Sequence, residues 1–182
     1  MQIFVAFLRA LNMAGHNSVK MKDLSELFAG QGFSDITTYI QSGNVIFRYA
    51  GKEKVKDITQ KIEKAITTKF GLDIDVMVRS VDELKGLEPR NPFLLEESFT
   101  PVKMAVIFLN EKASEDSILA MKKISYPPDK FEISGREIFI YCLNGFGRTK
   151  LYTNFFEKKM GVRGTARNWK SITTILGIAE KL

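Results

Sequence analysis

Asn144, Gly145, Gly147, Arg148 and Lys150 fall close together in the run YCLNGFGRTKL at residues 141–151. Two glycines permit positive φ and close approach of a ligand to backbone N–H groups, and a guanidinium and an ammonium follow them. That combination suits an anion. The spacing predicts a strand ending near Cys142 and a helix beginning near residue 150, which would add the positive end of a helix dipole. The run lacks the Gly-x-x-x-x-Gly-Lys spacing of a P-loop and the Gly-x-Gly-x-x-Gly of a dinucleotide fingerprint. A plain Gly-rich strand-to-helix turn with solvated basic side chains fits the same residues.

Three more stretches are polar and rich in small residues. FLRALNMAGHNSVK brings Arg9, Asn12, Gly15, His16, Asn17 and Lys20 to the exit of the first strand, where loops commonly hold binding groups. YIQSGNV places Gln41, Ser42 and Asn44 in a tight turn, which an ordinary hairpin also explains. RGTARNWK gathers Arg167, Asn168 and Trp169 at the start of the last helix, a second N-terminus able to take an anion. Trp169 beside arginines could stack a ring, and a Trp so placed also serves as a core anchor.

Residue supply excludes several chemistries. His16 and Cys142 are the single imidazole and the single thiol, so no zinc-type His/Cys set can be assembled, and a Ser-His-Asp hydrolase would depend on one loop histidine. His16 as a lone proton carrier is the remaining use for it. Cys142 shares a strand face with Ile138 and Ile140 and reads as a buried small hydrophobe. No metal and no cofactor are expected, no paired-carboxylate motif stands out, and a hydrolase or transferase with an Asp or Glu base stays open. One cysteine precludes an intrachain disulfide and fits a reducing cytoplasm. The N-terminal MQIFVAFLRALN reads as a strand rather than a signal peptide, and no apolar run approaches the roughly 20 residues of a membrane span.

The formal charge of +6 is concentrated at one end of the chain. Residues 145–182 carry eight basic side chains against two acids, Glu157 and Glu180, so the first 144 residues are neutral overall. Such a patch attracts phosphate-bearing partners, and a solvated helix face that keeps the protein soluble has the same composition.

The elements that must position these residues are written twice. VAFL at residues 5–8 recurs as VIFL at 106–109, and SGNVIFRY at 42–49 recurs as SGREIFIY at 134–141, in the same order. In the first half the periodicity predicts a strand at 2–9, a helix at 20–30 stopped by Gly30, strands at 36–41 and 44–49, a helix at 52–70 closed by Gly71, and a strand at 73–79. That last strand alternates Ile74, Val76 and Val78 with Asp75, Met77 and Arg79, the pattern of a strand with one solvated face. Ser80 and Glu83 have capping-box spacing. The second half predicts strand 102–109, a helix from a Ser114 cap to about Lys123, strands 129–133 and 136–142, a helix at 150–160, a short extended piece at 162–166, and an Asn168-capped helix to the end. The fold class is therefore α+β, a tandem duplication of a ferredoxin-like βαββαβ unit with an additional C-terminal helix. Residues 1–85 form the first half, 86–101 a Pro-rich connector and 102–182 the second half. The central strands are apolar on both sides, so both sheet faces should be covered, which argues against RNA stacking on Phe47 and Tyr49.

LRALNMAGHNSVKM, TYIQSGNVIF, NPF at residues 91–93, NGFGRTKL and TARNWK occur in the order found in the bacterial family known as domain of unknown function 1697, which the chain resembles. The resemblance implies a cytoplasmic bacterial protein with two ferredoxin-like halves and implies no reaction. On the residues themselves, the leading expectation is a phosphate-bearing ligand, a nucleotide or nucleic acid, held between the halves. Arg148, Lys150 and the backbone at 145–147 would hold the anion, Arg167 and Asn168 a second anchor, and Arg9, Asn12, Gln41 and Asn44 a polar wall. The competing expectation is a non-catalytic protein whose polar motifs stabilise the junction between repeats. Oligomeric state is not legible.

Overall fold

Val, Ile and Phe dominate two blocks of the sequence, and the chain folds each block into a four-stranded antiparallel sheet, giving a mixed α/β protein. The computed structural model describes residues 1–12, 17–96 and 99–182. Packing divides the chain into two units, Met1–Lys85 with Ile175–Leu182, and Gly86–Thr174.

In the first unit, β1 (Gln2–Leu8), α1 (Met21–Gly30), β2 (Ser34–Tyr39), β3 (Asn44–Tyr49), α2 (Val55–Phe70) and β4 (Val76–Ser80) follow one another, and the strands lie in the order β2-β3-β1-β4. Ile58, Ile62 and Ile66 recur every fourth residue of α2 and pack with Leu24, Leu27 and Phe28 of α1 over Phe4, Ala6, Leu8, Val45 and Phe47. Phe47 sits inside this aromatic core, with ring centroids 4.5 Å from Phe33 and 5.3 Å from Phe28, so it offers no platform for stacking bases. Gly71 ends α2 in the left-handed conformation.

The second unit repeats the order with β5 (Met104–Leu109), α5 (Glu115–Lys122), β6 (Lys130–Ser134), β7 (Glu137–Tyr141), α6 (Thr153–Met160) and β8 (Gly164–Asn168), in the sheet order β6-β7-β5-β8. Ile107, Leu109, Ile138, Ile140 and Cys142 pack beneath Met121, Phe156 and Met160. The stretch expected as a connector holds α4 (Leu87–Arg90) and two short 3-10 turns, Pro92–Leu95 and Pro101–Lys103. Phe93 and Phe99 stack on Tyr141 at 5.8 and 5.9 Å, and Arg90 pairs with the buried Glu137 at 2.9 Å, so these three residues pack onto β7. α3 (Val81–Lys85) follows β4, and α7 (Trp169–Ala179) follows β8. Among the described residues no helix is long and apolar enough to cross a membrane.

Several expectations need correction. β4 is buried along its whole length, Arg79 included at 1% exposure, although it is an edge strand whose alternation predicts a solvated face. Arg79 lies across from Val5 on the face away from α1 and α2, and that face is buried too. The strand expected at 36–41 starts and ends two residues earlier, because Ile40 enters a left-handed turn at φ 49°. Gly30 is inside α1, and the chain turns at Gln31 and Gly32. α6 starts at Thr153 rather than near residue 150. The extended piece at 162–166 is a true fourth strand displaced to Gly164–Asn168.

The internal repeat also shifts by one residue at the second signature. Asn44 stands opposite Phe7, whereas Glu137, not Arg136, stands opposite Phe108. The cause is the turn. The first hairpin closes Tyr39 against Asn44 around residues 40–43, and the second closes Ser134 against Glu137 around Gly135 and Arg136. Since strand faces alternate, the matched letters Phe47 and Phe139 point to opposite faces of their sheets, and Ile140 is the true counterpart of Phe47.

Candidate functional site

The loop between β7 and α6 carries the NGFGRTK run. Its local folding is explained by two backbone turns and one closed by a side chain: Gly145 N–H donates to the Cys142 carbonyl at 2.9 Å, Arg148 N–H to the Gly145 carbonyl at 3.2 Å, and Leu151 N–H to the Thr149 hydroxyl at 3.0 Å. Gly145 has φ 82°, which is why glycine stands there. These bonds occupy the amides of Gly145 and Arg148 in the loop itself. The helix N-terminus expected beside Arg148 lies at Thr153, so its dipole does not point into the turn.

What the loop does build is a groove. Ala105, Ile140 and Ala166, from β5, β7 and β8, form its floor, and Phe146, Thr149, Leu151, Tyr152, Thr153 and Asn168 rim it, enclosing about 250 Å³. The helices that follow the third strand of each unit differ in length. α2 has 16 residues and begins soon after β3, while α6 begins only after eleven intervening residues from β7 and, with 8 residues, spans about 12 Å against about 24 Å. Over that end of the second sheet lies the loop rather than a helix: Ala105 and Ile140 are buried there, and Ala166 is exposed. Phe146 and Tyr152 remain 40% and 57% exposed at the rim, and Arg148 and Lys150 stand exposed on the same loop. The Lys150 ammonium lies 5.5 Å from the centre of the Tyr126 ring.

The sequence-predicted residues fall into three groups. Asn144, Gly145, Gly147, Arg148 and Lys150 share this loop, and Asn168 reaches the same groove while its Oδ1 caps α7 by accepting from Ser171 N–H at 2.7 Å. Arg167 does not join them. It lies between Ala166 and Asn168 on β8 and so faces the other side of the sheet, buried, with its guanidinium donating to the Thr165 hydroxyl at 2.7 Å and the Ala166 carbonyl at 2.8 Å. Burial lowers its pKa to about 10. Trp169 is 8% exposed, a core position.

The third group belongs to the first unit and is tied into its own loops. Arg9 pairs with Asp75 at 3.1 Å. Asn12, left-handed at φ 54°, donates to the carbonyls of Val19 and Gln41 at 2.9 and 3.0 Å and accepts from Val19 N–H at 2.7 Å. Asn44, fully buried, donates to the Tyr39 carbonyl and the Ser42 hydroxyl at 3.0 and 3.2 Å. Gln41 is exposed. His16 and Gly15 lie outside the described residues.

Chemically the groove offers apolar contact and a few hydroxyl and amide groups. Its lining residues include no carboxylate, imidazole or thiol, and among the described residues no three His, Cys, Asp or Glu side chains cluster as metal ligands. Cys142, next to the loop, is buried, and burial pushes its thiol pKa up against the opposing hydrogen bond with Thr149. A neutral, enclosed thiol is not a nucleophile.

Sequence reading missed Phe146 and Tyr152, whose signal was an aromatic set between two glycines where no core periodicity calls for one. It also missed two polar features shared by the units, one buried and one half-buried. Arg79 precedes the Ser80 cap of α3 as Arg167 precedes the Asn168 cap of α7, each arginine donating to the carbonyl of the residue before it. Glu63 of α2 accepts from Val76 N–H at 2.9 Å, and Glu157 of α6 from Gly164 N–H at 2.8 Å, each clamping the first residue of the fourth strand.

Comparison with known proteins adds fold and family. No curated protein matches the chain. The solved structure of the conserved bacterial protein SP0830 from Streptococcus pneumoniae is similar, with a TM-score of 0.77, 16% identity and 98% of each chain covered, a likeness of fold. A family profile described as a protein of unknown function, DUF1697, matches residues 1–139, a range that ends just before the loop and covers most of both sheets. By that match the chain belongs to the DUF1697 family of proteins of unknown function.

Proposed function

We propose that the chain binds a phosphate-bearing ligand, a nucleotide or nucleic acid, at the loop of residues 144–150, in the cytoplasm. The observation that carries this reading is the groove beside the loop, with an apolar floor and two exposed aromatic rings, together with two exposed cations, Arg148 and Lys150, on the same loop outside the groove lining. Arg148 and Lys150 bind the anion, and the basic excess of residues 145–182 draws it in. The test is binding of nucleotides and short oligonucleotides across a salt series, comparing wild type with Arg148→Ala and Lys150→Ala. Each substitution is expected to weaken binding by about fivefold to a hundredfold, the loss of one charge-assisted hydrogen bond. Unchanged affinity in both variants would sink the assignment.

A second reading rests on the bonds of Arg9, Asn12, Asn44 and Arg167, which are made within the protein. On it, these residues hold loops and strands in place, and replacing them lowers stability with no effect on a ligand. The two readings divide the predicted residues between them: those four structural, the loop residues for the ligand. We read the repeated architecture as a duplicated ferredoxin-like unit, residues 1–85 and 102–182, joined by 86–101. The two units share element order and strand order, and that supports it.

A further inference from the structure

The groove also constrains what the phosphate is attached to. We propose, resting on the reading that the loop of residues 144–150 takes a phosphate, that the occupant is a mononucleotide whose base lies in the groove between the sheet and the rings of Phe146 and Tyr152.

The floor is flat because Ala105 and Ala166 have the smallest side chains that a strand face can present beside Ile140. Rings exposed over such a floor recover buried apolar area by taking a planar partner, and aromatic faces stack on any base. A volume of about 250 Å³ falls just short of the usual range for pockets holding drug-sized ligands, so it admits one ring system. Hydroxyls of Thr149 and Thr153 and the amide of Asn168 offer hydrogen bonds to base edges or ribose, and Asn168 keeps its NH₂ donors because its oxygen caps α7. Charge fits the same occupant. The lining holds no carboxylate, and Arg148 and Lys150, next in the chain to the lining residue Thr149, are exposed for a phosphate that projects out of the groove. A nucleic acid strand needs aromatic rings and cations repeated along a track, whereas here the exposed rings meet at one groove.

Calorimetric titration of the folded protein with nucleoside 5′-monophosphates, ribose 5-phosphate, inorganic phosphate and a short oligoadenylate tests this. A monophosphate is expected to bind at least about tenfold more tightly than ribose 5-phosphate. Phe146→Ala and Tyr152→Ala should each weaken it by about fivefold to a hundredfold, the stacking loss for one base, and leave ribose 5-phosphate unchanged. Arg148→Ala should weaken both. Both rings are partly exposed, and thermal melts of the two variants verify that they keep the fold. Equal affinity for monophosphate and ribose 5-phosphate, or ring variants without effect, overturns the base groove and leaves the anion site standing. Tighter binding of oligoadenylate with a steep salt slope overturns the mononucleotide in favour of a strand. Absence of Arg148-dependent binding of every probe overturns the groove and the anion reading together.

Discussion

Gly164 shows at a single residue how closely the second sheet is packed. A Cβ built there would sit 2.8 Å from Ile107 Cγ2 and 3.3 Å from the Phe108 carbonyl oxygen, and the backbone oxygen has nowhere to move. Gly164→Ala should destabilise the protein by about 1–3 kcal/mol, the cost of overpacking a strand interface, read as a lower urea midpoint. Its amide is also the donor to Glu157, so a displaced strand loses that bond as well. Cys142 provides a reporter for the same region. Being fully buried, with its thiol pKa raised by burial, it should resist an alkylating reagent in the native protein and react fully in denaturant. Rapid native alkylation would contradict the burial described for β7 and the loop that follows it.

At the scale of elements, α2 and α6 differ most and matter most. Both use a glutamate to clamp the first amide of the following strand, yet α2 has 16 residues and α6 has 8. The Glu63 clamp is pH-sensitive. Burial raises the Glu63 pKa above its ordinary carboxylate value, opposed in part by the bond from Val76 N–H, with Asp75 and Asp73 adding to the rise. The folded chain thus holds this proton more tightly than the unfolded chain. The contribution is fully present below the unfolded pKa and is lost as pH rises through the raised folded value. Glu63→Gln keeps an acceptor for Val76 and removes the titration, so its stability should vary less than wild type as pH rises through and above the ordinary carboxylate range. Parallel curves for the two proteins would exclude this origin.

Across the whole molecule, basic residues divide into buried and exposed sets with different work. Arg79 and Arg167 occupy the same position in the two units, at 1% and 9% exposure, each bonded to a backbone carbonyl. Arg79→Ala and Arg167→Ala should each cost about 2–4 kcal/mol, since each leaves a cavity and buried acceptors without a donor. Arg148→Ala, at an exposed loop position, should stay within about 0.5 kcal/mol of wild type in the same urea titration while losing ligand affinity. The contrast separates two uses of one amino acid that formal charge alone lumps together. It also refines the charge reading: of the basic excess in residues 145–182, Arg167 is buried in the second unit and unavailable to a partner in solvent.

The order of strands and helices, the doubly buried central strands, the caps at Ser80, Ser114 and Asn168 and the burial of Cys142 were all legible in the sequence, whereas Trp169, open to ring stacking or the core, was settled as core only by packing. They follow from short-range rules, periodicity and local hydrogen bonding, which act over a few neighbouring residues. The register of the repeat was not legible, because a four-residue turn in one hairpin and a two-residue turn in the other shift identical letters to opposite faces. Nor was the burial of Arg79, since alternation marks a polar face but not what lies against it. The groove is the clearest case. NGFGRTK announced an anion-friendly turn, but only the packed structure placed it beside Ala105, Ile140 and Ala166, residues remote in sequence. Local composition chose the residues of the loop; the long-range pairing of β5, β7 and β8 set the groove beside it.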